Sequence, residues 1–268
     1  MDSDQQGGGP PIAWPVRVKH PGDRRSLSRS ATRALDVLEH FGQVRAPLRA
    51  VDISRALGLH PSTTNQLLKT MVGSAHLVFH AETKTYLPSH RLAQFSAWIL
   101  GAYGDDERLQ GLVREVQAAA GGVVTLTTAN DVFMQIVELA GSGPIGRPTE
   151  RGLSVSMFGS AIGAAYLSTL VDAEIARLAG RARIAAGDLP RVLDEAARIR
   201  AGGFAEAPSP DGAIWSIATP LPASAFPAPL VIGLAGPVDQ VRGNVVALQE
   251  LMRAAIVRWI SRDIPCSP

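Results

Sequence analysis

The chain has 268 residues, 46% hydrophobic and 19% charged, enough apolar material for a sizeable core and far from the composition of a disordered chain; its length suits two modest domains. The net charge of +2 is unevenly spread: residues 1–100 hold 12 Lys+Arg against 7 Asp+Glu and the remainder 14 against 17, so a basic front, suited to a polyanion such as nucleic acid, precedes a mildly acidic back. With no apolar run near the roughly 18 residues of a membrane helix, with Asp2 and Asp4 where a signal peptide would be basic, and with Cys266 as the one cysteine, the reading is cytoplasmic, with no membrane partner, internal disulfide or thiolate metal cluster.

Residues 1–26 contain Gly7-Gly8-Gly9-Pro10-Pro11, Pro15, Pro21 and Gly22 without sustained periodicity, which predicts a flexible N-terminal arm whose Arg17, Lys19, Arg24 and Arg25 are solvated. From Ser28 the spacing turns helical, with Ala31, Ala34, Leu35, Leu38 and Phe41 on one side and Gly42 as the stop. A second helical segment, Leu48 to Leu57, ends at Gly58, and Leu59, His60 and Pro61 turn the chain into a third over Ser62 to Val72. In that third segment Leu67, Leu68 and Met71 make the apolar stripe, while Ser62, Asn65, Gln66 and Lys69 fall at i, i+3, i+4 and i+7 on the opposite face. Two β-type runs, Leu77 to His80 and Thr85 to Leu87, flank the polar turn 81–84 and read as a wing with Lys84 at its tip.

This order of elements over residues 27–88 is a winged helix-turn-helix, a module whose last helix enters the DNA major groove. The candidate DNA-binding residues are Ser62, Thr63, Asn65, Gln66, Lys69 and Lys84, with Asn and Gln able to pair with adenine edges and the lysines suited to phosphates. Residues 89–104, including Phe95, Trp98, Ile99 and Leu100, predict a linker helix with a bulky apolar face, a packing or dimer seam.

The remainder, 105–263, mixes strands and helices. Helices are expected over Asp106–Ala120, Ser160–Leu170, Asp172–Ala179, Leu189–Ala201 and Val238–Arg262, and strands over Val123–Thr128, Val132–Ala140, Leu153–Phe158, Ile214–Thr219 and Leu230–Ala235. Non-strict alternation favours an antiparallel sheet flanked by helices, so the whole chain reads as α+β. No acid-base histidine or lysine lies in this half, and carboxylates such as Asp105, Asp106, Asp194 and Glu195 sit on helix ends and polar faces, so no catalytic residue is assigned. Gly141-Ser142-Gly143-Pro144-Ile145-Gly146 satisfies a dinucleotide spacing, but Pro148 and Gly152 argue against the helix that should follow; it reads as a loop, and no cofactor is assigned. His76 and His80 straddle a helix end and a strand, so their i, i+4 spacing assigns no metal.

The chain resembles bacterial transcription regulators of the isocitrate lyase regulator (IclR) type. The matching residues are Arg33-Ala34-Leu35 with Leu38, Ala56-Leu57-Gly58-Leu59, Ser62-Thr63 with Leu67-Leu68 and Thr70, Tyr86, Phe158-Gly159-Ser160-Ala161-Ile162-Gly163-Ala164-Ala165, Gly203-Phe204-Ala205, Ala218-Thr219-Pro220 and Gly233-Leu234-Ala235-Gly236-Pro237. The resemblance runs from about Ser28 to Arg262. It implies a GAF-like effector-binding domain behind the winged helix, dimers or tetramers, a double-stranded DNA operator and a small-molecule effector, with repression as the expected mode. An enzyme with a DNA-binding appendage and a ligand-independent DNA-bound scaffold are the alternatives. Gln66 stands where the family usually has arginine, and Arg49 where it has a capping Ser or Thr. Around the implied pocket, Ser216, Gly233 and Ala235 stand where the family often has cysteine and two serines. With Gly159, Ser160 and Ala161 at the head of the pocket helix, and Leu126, Met157, Phe158 and Trp215 in neighbouring segments, these form the candidate effector-binding set. That set predicts a large, apolar cavity suited to an aromatic or bulky apolar effector with one polar handle near Ser216.

Overall fold

The computed structural model describes residues 16–19, 28–103, 106–143 and 149–260. The chain divides into two compact units, Arg24–Gly104 and a second built from Met1–Asp23 and Asp105–Pro268.

In the first unit, α1 (Arg29–Val44) buries Val37 and Phe41, one turn apart, and ends at Arg45, whose left-handed backbone (φ 54°) lets its N–H reach the Phe41 carbonyl. It therefore passes the expected stop at Gly42 by two residues. Next come β2 (Leu48–Arg49), α2 (Ala50–Ala56) and α3 (Pro61–Gly73), then the wing strands β3 (Leu77–His80) and β4 (Thr85–Pro88), and α4 (Arg91–Tyr103). The segment read as one helix from Leu48 starts instead as a strand: Leu48 pairs with Tyr86 and Arg49 with Thr85, because the wing offers an unpaired edge that only tertiary folding brings there. Gly58 takes φ +60°, the left-handed turn that ends α2 and aims α3. Val37, Phe41, Ile53, Leu68, Met71 and Leu77 close one small core.

The second unit is a seven-stranded, wholly antiparallel sheet in the order β1-β7-β6-β5-β10-β9-β8, with strands β1 (Val18–Lys19), β5 (Val123–Asn130), β6 (Phe133–Ala140), β7 (Ser154–Ser156), β8 (Ala205–Pro208), β9 (Ile214–Pro220) and β10 (Leu230–Pro237). Helices α6 (Ala161–Leu167), α7 (Asp172–Ala182) and α8 (Leu189–Gly202) pack on one face, sharing a core with Met134, Ala205, Ala218 and Val231. Helices α5 (Asp106–Ala120) and α10 (Val245–Ile260) pack on one another, and α5 lies against β5 and β6. The ring of Trp259 fills the space beside Gly111, leaving a Cβ there only 2.5 Å of room. The expected long last helix is broken into α9 (Val238–Val241), a 3-10 turn (Arg242–Asn244) and α10. Strand β8 was not read from the sequence: its run Ala205-Glu206-Ala207-Pro208 has no β-branched or aromatic residue, and cross-strand pairing with β9 makes it a strand.

The expectation of an unstructured arm fails at residues 16–19. Val18 and Lys19 pair with Val155 and Ser154, the Arg17 N–H donates to Ser156 Oγ at 3.0 Å, and the Ser156 N–H donates to the Arg17 carbonyl at 2.8 Å. The Lys19 ammonium sits 3.7 Å from the centre of the Phe133 ring. The alternation Val16-Arg17-Val18-Lys19 is too short to form a strand alone and gains strand structure because β7 leaves one edge open. Arg24, Arg25 and most of the expected arm lie outside the described residues, as do Asp105 and Cys266.

Candidate nucleic-acid interface and ligand cavity

Helix α3 begins at Pro61, whose missing N–H and fixed φ suit a first helical turn, and His60 caps it: its Nδ1 lies 2.8 Å from Ser62 Oγ and accepts from the Ser62 N–H. Thr64 is fully buried, its hydroxyl donating to the His60 carbonyl at 3.2 Å, and Leu68 is buried beneath it. That anchoring turns the other side of the helix outward. Ser62, Asn65, Gln66 and Lys69 are exposed, and Thr63 is half-buried beside them. A shallow groove between α1 and α3 is edged by Ser62, Thr63 and Gln66 from α3 and by Arg33, Leu35 and Leu38 from α1. Lys84 is exposed in the wing turn with φ 55°, next to Thr83 and Thr85, whose hydroxyls meet at 2.7 Å. Arg49 starts α2 without a side-chain cap. His76 lies against Ser74 Oγ at 2.9 Å while His80 is on β3, and no group of three or more metal-ligating side chains exists among the described residues.

In the second unit a cavity of about 500 Å³ opens between the sheet and the start of α6. Strand alternation decides what lines it. Val18, Val155, Thr125, Gly233, Ser216 and Ala207 are linked across the sheet by register and share one face. Gly233 lies close beneath α6: a Cβ there would sit 2.6 Å from Ile162 Cγ2. Gly159, Ser160 and Ala161 supply the rim from the helix side, with Ala235 beyond Gly233. The Ser160 hydroxyl is engaged in capping, donating to the Ser156 carbonyl at 2.7 Å and accepting from the Gly163 N–H at 3.2 Å. Ser216, Thr125, Thr149 and Ser209 are the other hydroxyl-bearing residues, and the described lining carries no charged side chain.

Four residues assigned to this site from the sequence lie elsewhere. Leu126 pairs with Ile232 and Glu138, one residue out of phase with Thr125 and Gly233, and so faces the opposite side of the sheet. Trp215 likewise alternates away from Ser216: its indole N–H donates to Glu206 at 3.1 Å and the Arg242 guanidinium lies 4.7 Å from its ring centre. Met157 and Phe158 are buried under α6 in the core. A Cβ on Gly163 would come within 1.7 Å of the Met157 carbonyl oxygen, which shows how closely the helix sits on that segment. Conversely, Val16, Val18, Val123, Ile136, Leu153 and Val155 line the cavity without having been foreseen. Period-two alternation in β5, β7 and the short run Val16-Arg17-Val18-Lys19 could have flagged some of them.

Arg151 points outward and pairs with Glu138, its Nε donating at 3.1 Å, while Arg147 lies outside the described residues. Residues 144–148 lie outside the described residues, and from Thr149 the chain runs through a turn into β7, with no helix between Thr149 and that strand. Burial pushes Tyr166 and Glu195 above their ordinary pKa values; for Tyr166 the charge of Glu174 adds to this, and for Glu195 Arg198 and Arg191 oppose it. Glu195 is thus half-buried rather than solvated as expected. Neither group lines the cavity.

Residues 30–74, from α1 to the end of α3, match the family model of the IclR helix-turn-helix domain. Residues 30–74 are thus an IclR-type helix-turn-helix domain. The HTH-type transcriptional regulator XynR of Escherichia coli (strain K12) is 26% identical over 95 residues, a stretch that spans 35% of this chain and 38% of XynR. The fold extends further than that match. An IclR family transcriptional regulator from Brucella abortus superposes at TM-score 0.50 and 19% identity, covering 91% of this chain and 95% of the other. The Thermotoga maritima IclR superposes at TM-score 0.52 and 14% identity, covering 85% and 97%. The helix-turn-helix followed by an antiparallel sheet domain is therefore the IclR architecture. None of its described helices is long and apolar enough to cross a membrane.

Proposed function

We propose that this chain is a ligand-responsive DNA-binding transcription repressor acting as a homodimer or tetramer. The observation that carries the reading is the exposed polar stripe of α3, held outward by buried Thr64 and Leu68 inside an IclR helix-turn-helix domain. Asn65 and Gln66 read base edges, Ser62 and Thr63 position the start of the helix, and Lys69 and Lys84 neutralise phosphates. On α4, Phe95, Trp98, Ile99 and Leu100 are exposed, Trp98 at 73%, an apolar face suited to self-association. The effector enters the cavity rimmed by Gly159, Ser160, Ala161, Ser216, Gly233 and Ala235. Because no charged side chain lines its described wall, a small carboxylate would be desolvated without a counter-charge, whereas an aromatic or bulky apolar molecule gains from every apolar contact.

A mobility-shift assay with the full chain on the DNA upstream of its own gene, with and without aromatic metabolites, tests this directly. Specific binding released by such a ligand is expected. Specific binding that no metabolite alters would make the protein a ligand-independent scaffold. Calorimetric titration should show aromatic acids or phenols binding and pyruvate or glyoxylate failing to bind; the reverse pattern would refute the apolar-effector reading while leaving the regulator reading intact.

A further inference from the structure

Strand β1 is only two residues long. It contributes two residue pairings to the ladder, two further hydrogen bonds with Ser156 and the Lys19 contact on Phe133. Against these stands the entropy of ordering four backbone residues. Val18 remains 46% exposed, so the segment is far from buried. Its inward side chains, however, are those of Val16 and Val18, and both line the cavity. Val18 lies directly across the ladder from Val155, another lining residue, so the strap extends the apolar wall by one strand.

We propose, resting on the reading of this cavity as the effector site, that residues 16–19 form a ligand-coupled strap: an apolar ligand in the cavity packs on Val16 and Val18, and occupancy and strap docking stabilise one another. Linkage makes the coupling reciprocal, so whatever affinity the strap adds to the ligand, the ligand returns as strap stability. Residues 20–28 alone separate the strap from α1, the first helix of the DNA-binding unit. Docking therefore fixes the chain at Lys19, and effector occupancy reaches the DNA-binding unit along the chain itself.

The test uses the full chain, a version beginning at residue 20, the double variant Val16→Ser with Val18→Ser, and Ser216→Leu, which fills the cavity from β9 without touching the strap. The probe is 8-anilinonaphthalene-1-sulfonate, followed by fluorescence titration and by hydrogen exchange of the segments 16–19 and 154–156. The proposal expects a 5- to 10-fold weaker probe affinity in both strap variants, near-complete loss of binding in Ser216→Leu, and slower exchange of both segments in the saturated parent. Loss of binding in Ser216→Leu with parent-like affinity in both strap variants would overturn the strap while sparing the cavity. Tighter binding without the strap would also overturn it, since the ligand would then displace the segment. Unchanged binding in every variant would place the probe outside the cavity and refute the cavity reading and the strap together.

Discussion

The two candidate binding surfaces are built in opposite ways. The α3 surface comes from one helix: four exposed positions within eight residues, oriented by Thr64 and Leu68 on the same helix. The cavity draws its lining from most strands of the sheet, from the start of α6 and from a segment near the N-terminus, so residues over a hundred positions apart share one wall. A convex reading surface can be written locally. A concave one depends on strand register, and an error of one residue moves a side chain to the other face of the sheet.

That contrast can be broken from either side. The largest effect should come from Leu68→Ala, which empties a fully buried site in a small core and should cost the first unit about 2–5 kcal/mol. Hydrogen exchange should show amides of residues 29–88 losing protection while β5 and β10 keep theirs; equal loss in both units would mean that they do not fold independently. Gly163→Ala attacks the second unit. Its Cβ would collide with the backbone oxygen of Met157, which cannot swing aside, so a penalty at or above the upper end of the usual 1–3 kcal/mol for overpacking is expected in urea unfolding, with operator binding at low denaturant retained.

On the reading surface itself, Gln66→Ala should weaken operator binding by ~1–3 kcal/mol and relax selection at one base position. Lys84→Ala should instead weaken all sequences alike and lower the salt dependence by about one unit. Quantitative mobility shifts over a panel of operator variants and salt concentrations separate the two, and unchanged Gln66→Ala affinity for every variant removes the base-reading assignment.

The smallest effect concerns Glu195 on α8. Burial raises its carboxyl pKa, so the folded state holds the proton more tightly than the unfolded one. The resulting penalty is absent below the unfolded carboxylate pKa and develops as pH rises through the raised value. Glu195→Gln should therefore match the parent in acid and be slightly more stable at neutral pH, a difference that thermal melts across the carboxylate range will reveal. A constant offset at all pH values would show that the opposing charges of Arg198 and Arg191 cancel the burial.

Most of the first unit was legible in the sequence because its signals are short-range. Apolar spacing marks α1 and α3, Gly58 and Pro61 mark the turn, and the wing runs are separated by a four-residue turn carrying Glu82, Thr83 and Lys84. The exception is instructive: Leu48 and Arg49 read as helix, yet they form a strand because the distant β4 supplies partners. In the second unit the elements were largely placed, including the β5–β6 hairpin with its left-handed Asp131 (φ 58°), but the side each residue faces was not. Gly159, Ser160, Ala161, Ser216, Gly233 and Ala235 were recognised from family landmarks and lie around the cavity. Leu126, Met157, Phe158 and Trp215 were chosen for being apolar and near those landmarks in sequence, and that criterion carries no information about facing.

The sequence by itself determined the division into a basic helix-turn-helix and a mixed α+β unit behind it, and the outward stripe of α3. Helical periodicity, turn residues and charge are all properties of neighbouring positions. Only the tertiary structure decided which strand faces meet in the cavity, that Trp215 turns toward Glu206 and Arg242, and that Val16 and Val18 become part of the wall. Those outcomes rest on pairing between distant segments: β7 offers an open edge, and the alternation Val16-Arg17-Val18-Lys19, too short to hold a strand alone, becomes one by pairing with it.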